Sequence, residues 1–212
     1  MERREKDLFD GTMLLAFVVV LIVDVVLLVE SKYRSGSVGA YFFSGVIGWL
    51  CADLLSGVVH FLADRFGSEK TPIVGATLIG PFRHHHERPQ AMAEHGFLEK
   101  NGNSALVAVL LLLWVPWVPL QSHFVWWAAL LCTSVSLWVA GTNQIHAWAH
   151  QPERPRLVNL LQRWGVFISP QHHELHHQSA TSTSGSRAQN AYYCITSGVF
   201  DRLLNSVVAN RK

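Results

Sequence analysis

Residues 12–29 read Thr12-Met-Leu-Leu-Ala-Phe-Val-Val-Val-Leu-Ile-Val-Asp24-Val-Val-Leu-Leu-Val29, and their reading decides the fold. Apart from Thr12 and Asp24 every side chain is apolar, and about 20 such residues carry a helix across a bilayer. Three more apolar bunches follow. Residues 38–62 are richer in Gly and Ser, as are helices that pack closely on others in lipid. Residues 104–120 and 124–140 are joined at Gln121-Ser-His123 by a turn short enough to make the pair a helical hairpin. Half of the 212 residues are hydrophobic, and their gathering into four spans predicts an all-α integral membrane protein with four transmembrane helices. This length suits one domain with an appendage: residues 1–37 form an N-terminal tail and first helix, and residues 38–212 the domain proper.

Arg3, Arg4 and Lys6 precede the first span, as in a signal peptide, but no small-residue cleavage site follows it and it is long for a signal sequence, so it reads as a retained helix. Lys and Arg placement sets the orientation. With the N-terminus inside, fifteen basic residues fall on the inner side and only Lys32 and Arg34 on the outer. Both termini are therefore expected in the cytoplasm. The net charge of +2 and the lack of a long basic run exclude a nucleic-acid partner. Cys51, Cys132 and Cys194 show no paired spacing, which argues against a disulfide framework or a thiolate metal site. Trp114, Trp117, Trp126, Trp127 and Trp138 read as an interfacial belt and helix packing. Asp24 costs roughly 2.5–3.5 kcal/mol in lipid and is expected to face a neighbouring helix. The stretch Ser179-Ala-Thr-Ser-Thr-Ser-Gly-Ser186 reads as a loop.

The chemistry lies in the histidines. Eleven of the twelve fall in four groups, all on the inner side of the spans: His60-Phe-Leu-Ala-Asp64; His84-His85-His86 with His95 nearby; His146-Ala-Trp-Ala-His150; and His172-His173-Glu-Leu-His176-His177. Spacings of three and four bring side chains onto one helical face, so each group can present two or three imidazoles to one centre. A single zinc takes three or four protein ligands, and this many imidazoles with one carboxylate suits two metals. His60 and Asp64 stand one turn apart at the inner mouth of the second span, where Asp64 either binds metal or fixes the tautomer of a ligand imidazole. Successive residues of a helix are about 100° apart, so at most two of the histidines at 84–86 serve one centre. Pro89 stops that helix, and Pro152 closes the one bearing His146 and His150. Ser169-Pro170 is a capped helix start, on which His173, His176 and His177 share a face while His172 points elsewhere. His95 is a candidate ligand in a polar loop, and His123 lies in the outer turn, too far away to join.

Imidazole alone does not name the metal, since zinc, copper, iron and nickel all accept it. A transporter places its site near the bilayer midplane, whereas these ligands gather at the inner mouth. A zinc protease needs His-Glu-x-x-His, and the run from His173 is one residue short. A paired non-haem iron site at the membrane surface, with a lipid chain entering between the helices, fits best. No flavin, haem or iron–sulfur motif is present, so electrons must come from a separate partner.

The runs Gly57-Val-Val-His60-Phe-Leu-Ala-Asp64-Arg-Phe-Gly67, Pro72-Ile-Val-Gly75, Pro81-Phe-Arg-His-His85-His86 with Pro89, Asn143-Gln-Ile-His146-Ala-Trp-Ala-His150, His173-Glu-Leu-His176-His177 and Tyr193-Cys-Ile-Thr-Ser-Gly198 resemble the plasmanylethanolamine desaturase family, also called Kua. That family includes bacterial members tied to light-induced carotenoid synthesis and the plastid palmitate desaturases. The resemblance covers roughly residues 50–205 in order. It implies a lipid desaturase domain over 38–212, with two iron ions in a cytoplasmic-side histidine-rich cap and dioxygen as co-substrate. It also implies electrons from a cytochrome b5 or ferredoxin type donor, and a phospholipid substrate in the membrane. In the ether-lipid branch, which Asn143-Gln-Ile-His146 resembles more than the plastid one, a 1-O-alkyl (plasmanyl) phospholipid becomes a vinyl-ether plasmalogen. The expected ligands are His60, Asp64, His85, His86, His146, His150, His173, His176 and His177, with His95 added from its place near the second group and not from the resemblance. Two features depart from the family: it has Glu-His-His where this chain has His84-His85-His86, so the ligand role passes only to His85 and His86, and the Ser/Thr-rich stretch lengthens a connection that is short in relatives. Against the ether-lipid desaturase stand an acyl-chain desaturase or hydroxylase acting on phospholipid-bound fatty acid and, from another class, a non-catalytic membrane metal-sensing protein.

Overall fold

The structure, a computed structural model, describes residues 3–34, 38–181 and 191–209. Among them all regular structure is helical: α1 (Arg3–Glu30), α2 (Val38–Arg65), a π-helical turn (Gly75–Ile79), α3 (Gly80–Glu87), α4 (Ala91–Glu94), α5 (Phe97–Leu112), a 3-10 turn (Val115–Trp117), α6 (His123–His150), α7 (Arg156–Arg163), α8 (Pro170–Thr181) and α9 (Asp201–Ala209). Among the described residues four segments are long and apolar enough to cross a membrane: Arg4–Glu30, Val38–Arg65, Phe97–Trp117 and His123–His150. Leu15, Val18, Ile22 and Val26 stand exposed along α1, an apolar surface that lipid, not water, accommodates. Most of the Ser/Thr-rich stretch lies outside the described residues.

The third span differs from its expected bounds of 104–120. Its helix starts earlier, at Phe97, and ends at Leu112, because Pro116 and Pro119 cannot donate the amide hydrogen bonds that would continue it. The join to α6 is therefore a longer proline-bearing connection, not a tight hairpin turn. The two helices still run antiparallel, since the Ser104 hydroxyl near the start of α5 donates to the carbonyl of Ala140 near the end of α6 (3.1 Å), and Asn143 donates to that of Lys100 (2.9 Å).

The chain divides into two compact units, Met1–Ala52 with Gly96–Asn143 and Asp53–His95 with Gln144–Lys212. In the first, Leu28, Val115, Trp126, Ala129 and Leu130 form a buried cluster, and the Trp126 indole donates to the carbonyl of Leu28 (2.9 Å). Trp126 is thus a core residue, while Trp117 stands exposed as a belt residue would. Gly48 lets α2 approach α6 closely: a Cβ there would sit 2.8 Å from the Ser134 backbone. Asp24 is fully buried and neither carboxylate oxygen has a hydrogen-bond partner.

The second unit carries the C-terminal ends of α2 and α6 together with α3, α4, α7, α8 and α9. Ser169 caps α8 by accepting from the amide of His172 (3.1 Å), as the Ser-Pro start predicts. α3 ends at Glu87, two residues before Pro89. Asp53 on α2 accepts the amides of Ser197 (2.7 Å), Gly198 (3.0 Å) and Phe200 (3.2 Å), and so ties the segment before α9 to the helix that carries His60.

Candidate metal centre

Four helices of the second unit bring nine of the ten expected ligands together. His60 and Asp64 come from α2, His85 and His86 from α3, His146 and His150 from α6, and His173, His176 and His177 from α8. They sort into two groups of four whose donor atoms lie within 4.8 Å of one another: His60, Asp64, His86 and His176; and His85, His150, His173 and His177. His146 adjoins the second, its Nε2 lying 2.8 Å from that of His173 and 3.2 Å from that of His150.

The division follows from helix geometry. Neighbours in a helix diverge by about 100°, so His85 turns to one group and His86 to the other, and His176 and His177 do the same. Residues four apart stay on one face, which keeps His60 with Asp64 and His173 with His177. The shared face expected for His173, His176 and His177 is thus divided between two centres. His84 lies exposed beside Glu87 (3.4 Å). His172 turns away to Asp201 (2.7 Å). His95 is exposed just past α4 and belongs to neither group. His123 stands in the first unit, its Nδ1 against the carbonyl of Tyr33 (3.0 Å).

In the first group His86 Nε2 lies 3.4 Å from that of His60 and 3.0 Å from that of His176, while Asp64 Oδ2 is 3.6 Å from the Nε2 of each of the three. A regular tetrahedron with an edge of about 3.4 Å has its centre about 2.1 Å from each corner, the length of zinc bonds to imidazole nitrogen and carboxylate oxygen. Hydrogen bonding fixes the tautomers to match. His60 Nδ1 donates to the carbonyl of Tyr193 (3.0 Å) and His176 Nδ1 to that of Ala191 (2.8 Å), which leaves both Nε2 lone pairs turned inward. Both oxygens of Asp64 are buried without a hydrogen-bond partner, as are both ring nitrogens of His85. Converging lone pairs around a buried carboxylate repel one another unless a cation lies between them, so these residues fit a metal ion.

Burial acts in the same sense on the five clustered histidines of α3 and α8. It pushes His85 down to about 2, His176 to about 3, and His86 and His177 to about 4, with neighbouring imidazoles adding to it for His85, His86 and His176. His173 falls well below the ordinary range for the same reasons. All five are neutral at physiological pH, the form that binds metal. A cavity of about 340 Å³ reaches His150 and His173 from outside, lined also by Gln90, Arg154 and Glu174.

Several supporting residues escaped the sequence reading. The carbonyls of Ala191 and Tyr193 carry no signature in sequence, because any residue supplies a carbonyl. Asp53 did leave one: a carboxylate inside an apolar span needs partners, and its partners here are three backbone amides. Asp201 likewise accepts the amide of Cys194 (2.9 Å).

Residues 49–211 match the family described as "Lipid desaturase domain". The chain is 36% identical over 162 residues to the plasmanylethanolamine desaturase of Myxococcus xanthus, covering 76% of this chain and 55% of that protein. It is 38% identical over 161 residues to plasmanylethanolamine desaturase 1 of Mus musculus, covering 72% and 56%. It is 33% identical over 164 residues to the chloroplastic fatty acid desaturase 4 of Arabidopsis thaliana, covering 76% and 47%. The chain thus matches about half the length of these curated relatives. No solved structure matches it.

Proposed function

The chain belongs to the lipid desaturase domain family, and on that premise we propose that it is an oxygen-dependent membrane desaturase that converts 1-O-alkyl phospholipids to vinyl-ether plasmalogens. In net terms two hydrogens leave adjacent carbons of the alkyl chain next to the ether oxygen. Dioxygen is reduced to two waters, and two electrons and two protons come from outside the chain. The observation that carries the reading is the pair of four-donor groups, His60/Asp64/His86/His176 and His85/His150/His173/His177, joined to the match with relatives named plasmanylethanolamine desaturase.

The ligand set proposed is those eight residues with His146 beside the second group, and two iron ions as the metals. His95 stays a candidate for a ligand arriving from its loop. When bound, iron supplies together with dioxygen the oxidising power that an unactivated C–H bond requires and that no side chain has. The chain's own residues hold and orient. Asp64 offers the one carboxylate among imidazoles and lowers the net charge of its group. The carbonyls of Tyr193 and Ala191 fix two ring planes, and the Tyr193 ring packs against His60 and His176 at centroid distances of 5.9 and 5.4 Å.

The proposal places both termini and the histidine cap on the cytoplasmic side, supported by the excess of basic residues there. It takes residues 38–212 as the desaturase domain and 1–37 as an added tail and helix. It also requires an external electron donor, of the cytochrome b5 or ferredoxin type. The relative named fatty acid desaturase 4 favours a second reading, an acyl chain as substrate. Lipidomics of an aerobic, plasmalogen-free host that expresses this chain and is fed an alkyl glycerol separates the two. Vinyl ethers support the first reading; new acyl double bonds with unchanged alkyl lipids support the second.

A further inference from the structure

Helix α7 (Arg156–Arg163) joins the two helices that carry most of the second metal group, and it has two unlike faces. Val158 and Gln162, four apart, are buried, and Gln162 donates to the carbonyl of Ile168 (3.0 Å). Asn159 accepts from Arg154 (3.1 Å). These contacts hold the inner face. On the other side Leu157, Leu160 and Trp164 are 64%, 38% and 70% exposed. Their spacing of three and four places them in one arc of the helix. Arg156 and Arg163, seven apart and both exposed, fall together along one edge of that arc.

Chain continuity says what this face meets. α7 begins six residues after α6, a span, ends at His150, so its start lies within about 20 Å of extended chain from the membrane surface. An outward arc of leucine and tryptophan flanked by arginine is the cross-section of a helix lying in the plane of a bilayer interface. There the apolar side chains enter the acyl boundary, the indole sits at headgroup level, and guanidinium groups reach lipid phosphates. Eight residues are too few to form a stable helix alone in water, yet the buried contacts of Val158 and Gln162 hold this one preformed, so no folding cost opposes docking. We propose that α7 is an interfacial helix that docks on anionic phospholipid through Arg156 and Arg163 and, since it connects His150 to His173, holds those residues at a fixed height relative to the headgroups. The inference rests on the membrane-spanning reading of α6 and not on the reaction.

The test uses the full chain in nanodiscs, with benzoyl-phenylalanine placed in turn at Trp164, Leu157 and, as a control, Glu153, and with either phosphatidylglycerol or phosphatidylcholine labelled. Positions 157 and 164 are expected to cross-link to lipid well above position 153. Phosphatidylglycerol should be favoured by about fivefold for each arginine near the surface. Arg156→Gln with Arg163→Gln should remove that preference while leaving the cross-linking to phosphatidylcholine. Failure of both 157 and 164 to cross-link above the control would overturn the docking, and equal cross-linking to the two lipids in the wild-type chain would overturn the anionic specificity. Two positions are probed so that a local disturbance at either one cannot hide the answer. Both results are independent of turnover, so they stand apart from any failure of the desaturase reading.

Discussion

The ring Nδ1 of His60 lies 3.0 Å from the carbonyl oxygen of Tyr193, 133 residues away in the chain. That one contact decides which nitrogen of His60 is free to bind metal. The segment that carries this carbonyl is held in turn by Asp53, two turns of α2 before His60, through the amides of Ser197, Gly198 and Phe200. The orientation of His60 on α2 is therefore set by a later segment of the chain that α2 itself anchors.

Asp53→Asn keeps one acceptor and loses the charge and the second. Charge-assisted hydrogen bonds are worth about 1.5–3 kcal/mol each, so thermal unfolding should show a loss of about 2 kcal/mol. Groups that orient metal ligands typically contribute 10–100-fold in affinity. Competition with a chelator should accordingly show metal held more weakly, by about 10-fold, at one centre and unchanged at the other.

The separation of His85 from His86 gives a sharper expectation. His86→Ala and His85→Ala should each lower the metal content of purified protein by about one ion, from about two. Combining His86→Ala with His176→Ala, within one group, should remove no more metal than either alone. Combining His86→Ala with His177→Ala, across groups, should remove both ions. Elemental analysis reads all of these; loss of both metals on every single substitution would mean one indivisible site.

Each of His173→Ala, His176→Ala and His177→Ala should abolish turnover and leave the protein in the membrane. His172 is turned to Asp201 at 2.7 Å and His123 to the carbonyl of Tyr33, so His172→Ala and His123→Ala should keep activity within about 10-fold, the order of a lost hydrogen bond. Wild-type turnover in His176→Ala would remove the first group from the chemistry.

The histidine groups and four spans were legible because each leaves a local signal in the sequence, periodic for the histidines and compositional for the spans. Apolar residues bunch where lipid must be met, and ligands recur at three and four where a helix presents one face. The assignment of ligands to centres was not legible, because it depends on where four helices converge, and the shared face of His173, His176 and His177 reads equally well as one site or two. The end of α5 at Leu112 was visible in Pro116 and Pro119 but was outweighed by the apolar composition around them. The roles of Ala191 and Tyr193 rest on main-chain atoms, which leave no trace in side-chain identity.

Topology can be checked by itself. Thiol labelling at Ser35→Cys and Ser184→Cys, both outside the described residues, should report opposite sides of the membrane. Labelling from one side would mean that one of the three spans between them, Val38–Arg65, Phe97–Trp117 or His123–His150, does not cross.

The most direct measurement is a single-turnover assay with purified, iron-loaded protein, a 1-O-alkyl phospholipid, a competent electron donor and dioxygen. The expected result is vinyl-ether product formed with uptake of dioxygen, and none under anaerobiosis, after iron chelation or in His176→Ala. Conversion of acyl phospholipid with alkyl phospholipid left untouched, or product formed without iron or dioxygen, would contradict it.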